Sequence, residues 1–163
     1  MKYPLSFTLN GFPVDALVKP TDTLLDVLRE KLGVLSAKRG CDTGDCGACT
    51  VLLNGDAVRS CLTIALTVSG KTVETVEGLS QNGKLHPLQQ SFHEHYAAQC
   101  GFCTPGMLMS AKALLGKNPK PTREEIIESI SGNLCRCGAY EEVTEANEAV
   151  AKSGKSGRKE RGR

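Results

Sequence analysis

The sequence predicts an α+β protein in two halves, a sheet-rich N-terminal domain and a helical C-terminal one. Three observations carry this: period-two alternation and Asn-Gly turns up to about residue 76, helical periodicity with Pro and Gly punctuation after it, and four cysteines in each half. At 163 residues the chain has room for one ordinary domain or two small ones. It has no Trp, three Tyr and four Phe, so its cores must be built from Leu, Val, Ile and Ala. Small cores of that kind need a staple, and the eight cysteines are candidates for it, as disulfides, zinc ligands or cluster ligands.

Tyr3, Leu5, Phe7 and Leu9 alternate, Asn10-Gly11 makes a turn, and an extended run from Phe12 to Val18 completes a β-hairpin whose Pro13 argues for an edge strand. In TDTLLDVLREKLG, Leu25, Leu28 and Leu32 lie at i, i+3 and i+7, with Thr21 or Asp22 as a cap and Gly33 as a stop. That predicts an amphipathic helix packed on the hairpin. A Gly- and Cys-rich loop follows. TVLLNGDAVRSC then gives a strand, a turn at Asn54-Gly55 and a second strand, and a β-run from Lys71 to Val76 closes the domain.

A boundary between residues 77 and 85 divides the chain into a sheet domain, 1–77, and a helical domain, 78–151. Pro87 and Pro105 stand where first helical residues belong, Thr122 with Glu125 forms a capping-box pattern, and AYEEVTEANEAVA reads as a final helix. Residues 152–163 carry six basic residues and one acid, leaving 14 basic and 17 acidic in a mildly acidic body. The tail has no apolar residue to pack, and its composition predicts disorder. Nucleic-acid binding would want aromatic or structured partners that it lacks, so no nucleic-acid partner is expected.

The N-terminal residues show no basic start followed by a long apolar run, and no apolar run approaches the roughly 18 residues of a membrane span. A reducing cytoplasm is the expected location, with no membrane association, and disulfides are disfavoured there.

Cys41, Cys46 and Cys49 form a C-x4-C-x2-C loop, with Cys61 further on, which is the plant-type ferredoxin spacing. Four thiolates must surround a flat two-iron rhomb, and a tight loop can present three of them where glycine relieves its backbone. Gly40, Gly44 and Gly47 lie in or beside that loop, where they allow positive φ and bring N–H groups toward the sulfurs. A four-cysteine zinc site is the alternative, though zinc more often uses two short cysteine pairs.

Cys100, Cys103, Cys135 and Cys137 form a C-x2-C and a C-x-C on either side of residues 104–134, a spacing that leaves zinc open. A helix predicted at Thr104-Pro105 would turn its positive end toward the thiolates, which favours a charged redox centre. No Cys-x-His occurs, so both sets should be all-thiolate.

The runs GCDTGDCGACTVLLNG, QCGFCTPGMLMSA and GNLCRCGAY resemble the small iron–sulfur subunit of the molybdenum hydroxylases, the family of xanthine dehydrogenase, carbon monoxide dehydrogenase and 4-hydroxybenzoyl-CoA reductase, over about residues 3–150. The resemblance implies a plant-ferredoxin-like β-grasp domain followed by a four-helix-bundle domain. It implies two [2Fe–2S] clusters, the outer one on Cys41, Cys46, Cys49 and Cys61, and the one nearest molybdenum on Cys100, Cys103, Cys135 and Cys137. Gln99 and the backbone around Cys137 would contact molybdopterin, its cytosine dinucleotide form included, bound by a large subunit. An FAD-binding medium subunit would complete a heterotrimer or its dimer. Where the family usually reads CRCTGY this chain has Gly138 and Ala139, which implies an altered turn after Cys137.

His86, His93 and His95 read as surface histidines, the latter two at i, i+2 on different sides of a helix. Met107 and Met109 read as core or interface filler. No Walker A sequence and no G-x-G-x-x-G after a strand occurs, so nothing supports nucleotide or flavin binding on this chain. With no visible catalytic base or nucleophile, the chain reads as a wire for single electrons, substrate chemistry lying on another chain. A free two-cluster carrier and a structural zinc adaptor are the rival readings. The second cysteine set, joined from distant segments between helices, is expected to lie deeper than the first.

Overall fold

The computed structural model describes residues 1–154. The sheet is mixed and five-stranded, in the order β2-β1-β5-β3-β4. Strands β1 (Tyr3–Leu9) and β2 (Phe12–Val18) form the antiparallel hairpin, with Leu9 opposite Phe12 across the Asn10-Gly11 turn. Asn10 and Gly11 both take positive φ, as such a tight hairpin requires. Strands β3 (Thr50–Leu53) and β4 (Asp56–Arg59) repeat the device around Asn54-Gly55.

Strand β5 (Thr72–Glu74) lies between the hairpins, parallel to β1 and antiparallel to β3. It is shorter than the predicted run from Lys71 to Val76. The Thr75 backbone N–H leaves the ladder and donates to Asn10 Oδ1 at 2.8 Å, tying the strand's exit to the first turn.

The predicted helix after the hairpin forms, but it starts later and is less regular. Helix α1 (Leu24–Asp26) is capped by Thr23, not Thr21 or Asp22, and continues as a wider π turn over Val27–Lys31. Thr23 Oγ1 accepts from the Asp26 N–H while the Asp26 carboxylate accepts from the Thr23 N–H, a capping box with Asp in its third position. Leu24, Leu25, Val27 and Leu28 are fully buried and meet Leu5, Phe7, Val51 and Val73 from the sheet, forming the first core.

Four helices follow: α2 (Pro87–Glu94), α3 (Thr104–Lys117), α4 (Arg123–Ile130) and α5 (Tyr140–Ser153). Pro87 opens α2 and Pro105 sits in the first turn of α3, where a missing N–H costs nothing. Thr122 and Glu125 form the expected capping box. The last helix runs through Ser153, into the segment assigned above to the tail; the expectation of disorder for residues 155–163 lies outside the described residues. The second core contains Leu88, Phe92, Met107, Met109, Leu115, Ile130, Val143 and Val150, so both methionines are core residues.

Strand β3 joins the two cores. Val51 packs in the first and Leu52, its neighbour on the opposite face, packs in the second. The helical domain therefore covers the back of the sheet, close to the cysteine loop that precedes Thr50.

His86 corrects the expectation of a surface histidine. It is buried at the start of α2, where its Nδ1 accepts from the Leu88 N–H at 3.1 Å, an imidazole used as a helix cap. His93 is exposed and His95 half-buried.

Candidate metal centres at the domain junction

The loop from Gly40 to Cys49 folds back on itself with Asp42, Gly44 and Gly47 at positive φ. Gly40 does not take positive φ; its requirement is room, because a Cβ there would stand 2.8 Å from Cys46 Sγ. Gly44 needs both, since its Cβ would stand 2.4 Å from the Leu62 side chain beside Cys61. Cys41 and Cys46 are half-buried, and Cys49 and Cys61 are buried.

Backbone N–H groups are aimed at the sulfurs. Thr43 and Cys46 each donate to Cys41 Sγ at 3.4 Å, Ala48 donates to Cys46, and Gly44 donates to Cys61. The Thr43 hydroxyl and then these N–H groups bring the Cys41 thiol down to about 6. The single hydroxyl proton is also directed to Asp45 at 2.6 Å, so the backbone donors are the dependable part of that field. Burial, and then the neighbouring Cys49 thiol, push Cys61 up to about 12.

The second set sits between α3 and α5. Cys103 caps α3, whose first residue is Thr104, so the positive end of that helix faces the thiols as expected. The Phe102 N–H donates to Cys100, and the N–H groups of Gly138 and Ala139 donate to Cys135. Gly138 takes φ +82. Both donors of this turn belong to the backbone and not to the side chains of Gly138 and Ala139. Cys103 is buried and pushed up to about 12 by that burial and by the Cys135 thiol beside it.

The expected depths are reversed. Cys100 and Cys137 are exposed and Cys135 half-buried, so in the free chain the second set is the more open one. Exposed Phe102, Leu134 and Tyr140 stand in the same segments, and Gln99 is exposed directly before Cys100.

Within each set the thiols lie near enough to influence one another: Cys46 feels Cys41 and Cys49, Cys61 feels Cys49 and Cys41, and Cys103 feels Cys135 and Cys100. Four thiols gathered in this way can ligate iron or zinc. No cysteine is in a disulfide.

The two sets meet across a tight polar seam. The Leu134 N–H donates to the Cys46 carbonyl at 2.8 Å. Buried Asn133 donates from Nδ2 to the Gly47 carbonyl at 2.9 Å and accepts from Ser110 Oγ at 2.7 Å. Arg59 reaches from the end of β4 to the Gly132 carbonyl at 2.7 Å. Gly47, Gly106 and Gly132 make this approach possible, each lacking the Cβ that would overlap the opposite segment. Sequence reasoning missed Arg59, Asn133, Ser110 and Gly106. The available signal was a cluster of small and amide residues beside the cysteines.

A model of the 2Fe-2S iron-sulfur cluster binding domain matches residues 7–81, and one of the [2Fe-2S] binding domain matches residues 75–148. The nicotinate dehydrogenase small FeS subunit of Eubacterium barkeri is 50% identical over 139 residues, 85% of this chain and 88% of that protein. The nicotine 6-hydroxylase small subunit of Paenarthrobacter nicotinovorans is 52% identical over 138 residues, 85% of this chain and 83% of that one. In the crystal structure of quinoline 2-oxidoreductase from Pseudomonas putida 86, one chain superposes with a TM-score of 0.91 at 48% identity, covering 96% of this chain and 98% of that one. With two consecutive [2Fe–2S] domains and these relatives matched over most of their own length, the chain belongs to the small iron–sulfur, electron-transfer subunits of the molybdenum hydroxylases, the xanthine dehydrogenase, aldehyde oxidoreductase and nicotinate dehydrogenase family.

Proposed function

We propose that Cys41, Cys46, Cys49 and Cys61 hold one [2Fe–2S] cluster and Cys100, Cys103, Cys135 and Cys137 the other, forming a conduit between a molybdopterin-binding large subunit and an outer acceptor. The observation that carries this is that each set of four cysteines falls within its own [2Fe–2S] domain match, the first in residues 7–81 and the second in residues 75–148. Clusters of this kind supply one-electron acceptance and release, so that a two-electron oxidation on the large subunit can be drawn off in single steps. This chain's own residues hold the ligands, direct N–H groups at the sulfurs and fix the two ligand segments against each other. The hydrogen bond from the Leu134 N–H to the Cys46 carbonyl leaves one hydrogen bond between the first ligand loop and the residue preceding Cys135.

The second set faces the large subunit in this reading. Its exposed Cys100 and Cys137, with Phe102, Leu134 and Tyr140 around them, make an apolar, ligand-bearing face suited to a partner. Gln99 and the backbone at Cys137 contact the molybdopterin there, including in its cytosine dinucleotide form. The first set serves the exit, toward an FAD-binding medium subunit or another acceptor, in a heterotrimer or its dimer within the cytoplasm. The small-subunit descriptions of the relatives support a multi-chain assembly over a free two-cluster carrier.

The test is the loaded complex. Four irons and four acid-labile sulfides per chain are expected, and two irons with zinc in the remaining site would refute the assignment. In the partly reduced complex the molybdenum(V) resonance should be split by the nearer reduced cluster. Cys103→Ser should perturb that splitting and Cys46→Ser should spare it; the opposite pattern reverses the order of the two clusters.

A further inference from the structure

Arg59 is the half-buried cation at the seam between the two ligand segments, and neither ligation nor the N–H field at the sulfurs makes use of its charge. It lies directly across the ladder from Thr50, the residue after Cys49, and two residues before Cys61. Ser60, between Arg59 and Cys61, donates its hydroxyl to the Cys49 carbonyl at 2.7 Å, so the two buried thiols of the first set converge beside the end of β4. From there the guanidinium spans the seam. One arm donates to Thr50 Oγ1 at 3.0 Å and the other to the Gly132 carbonyl at 2.7 Å.

Both partners are neutral. Among the described residues Arg59 forms no ion pair, and its Nε–H is buried without a hydrogen-bond acceptor. Arg39 and Arg123 are answered by acids, Arg39 by Asp26 and Asp42 and Arg123 by Glu141 and Glu148, whereas Arg29, like Arg59, donates to carbonyls, those of Leu35 and Ala37, but stands away from the seam. A guanidinium is always charged, and leaving one partly desolvated without a counter-charge is costly. A neutral side chain could bridge Thr50 and Gly132 more cheaply. The cost is recovered if a negative charge arrives in its neighbourhood, and a thiolate-ligated cluster brings one that grows by a unit on reduction.

We propose that Arg59 is a positioning residue with an electrostatic task. Its uncompensated cation raises the reduction potential of the cluster on Cys41, Cys46, Cys49 and Cys61 relative to the other, so that electrons settle on the outer side, while its two-armed grip locks the domains together. This rests on the two-cluster assignment above. A larger effect on the first cluster is expected because the charge is carried by the strand that leads into Cys61 and one arm rests on Thr50, the residue after Cys49, whereas its contact toward the second set ends at Gly132, three residues before Cys135.

Redox titration of the purified complex, read by the paramagnetic resonance of each reduced cluster, separates charge from grip. Arg59→Gln removes the charge and should shift the outer cluster's potential downward by more than the inner one's. Arg59→Lys keeps the charge and loses the fork, so it should hold the outer potential near its original value while lowering the melting temperature as Arg59→Gln does. Arg59→Met, which fills the same space without hydrogen bonds, guards against poor folding of the Gln variant and should match it in potential. Unshifted potentials in the Gln and Met variants would overturn the proposal. Equal shifts of both clusters, or a Lys variant as low as Gln, would also overturn it. Failure of the wild-type complex to show two distinct cluster signals would instead refute the underlying two-cluster assignment.

Discussion

Gly47 shows how closely the two ligand segments approach. Its φ is +69, and a Cβ would lie 2.3 Å from the Gly132 carbonyl oxygen and 2.8 Å from Asn133 Nδ2. Both obstacles are backbone or hydrogen-bonded atoms without freedom to move aside. Gly55, at φ +91 in the β3–β4 turn, has nothing within 4 Å of the same position. Gly55→Ala therefore isolates the cost of a left-handed backbone, about 1–2 kcal/mol. Gly47→Ala should cost clearly more, because it also breaks the Asn133 and Leu134 contacts. Chemical denaturation of the two variants side by side checks this, and equal losses would mean that the seam is looser than these contacts imply. The sequence showed that glycine mattered in this loop and suggested why, but not which requirement applied where. Gly40 proved to need space and Gly47 to need both space and φ, since close approach depends on a segment some 85 positions away in the chain.

Elements defined by short-range rules were legible. Both Asn-Gly hairpins, the Thr122–Glu125 box and the last helix follow from signals within four residues of one another. Features decided by a distant partner were not. The exit of β5 is set by Asn10, far away in the chain, whereas the start of α1 is the exception: its Thr23–Asp26 box is local, but it carries Asp where Glu or Gln is the usual third residue. His86 looked like a surface residue because histidine is an unusual cap, and only the fold brings the Lys112 ammonium 3.1 Å from its Nε2. The α4 cap yields a local prediction. Thr122 Oγ1 accepts from the Glu125 N–H at 3.2 Å, and the Glu125 carboxylate accepts from the Thr122 N–H at 2.7 Å. Thr122→Ala should cost about 1 kcal/mol. The loss should appear as faster amide exchange in the first turn of α4 with unchanged cluster signals, because Thr122 lies far in sequence from every cysteine and its bonds are local.

At the scale of the molecule, the cysteine spacing revealed two sites but not their relative exposure. Separation in sequence suggested enclosure for the second set, yet α3 and α5 leave Cys100 and Cys137 at the surface. Depth there must come from outside the chain if the cluster is to be shielded from water. Leu134 is the residue that separates docking from folding. Its backbone is fixed by the bond to Cys46, whereas its side chain is 57% exposed and contributes to neither core. A glutamate at that position should leave the fold intact, since the side chain is more than half exposed in the free chain and belongs to neither core. In the assembled complex it would place a carboxylate in an apolar contact beside negatively charged thiolate ligands, where desolvation and like-charge repulsion act together. Leu134→Glu should thus retain four irons per chain and a nearly unchanged melting temperature for the isolated subunit, while co-purification with the molybdenum-containing large subunit falls at least tenfold. Phe102→Glu, 46% exposed on the other ligand segment, should do the same. Normal assembly of both variants would place the large subunit on another face and leave the exposure of Cys100 and Cys137 without a docking role.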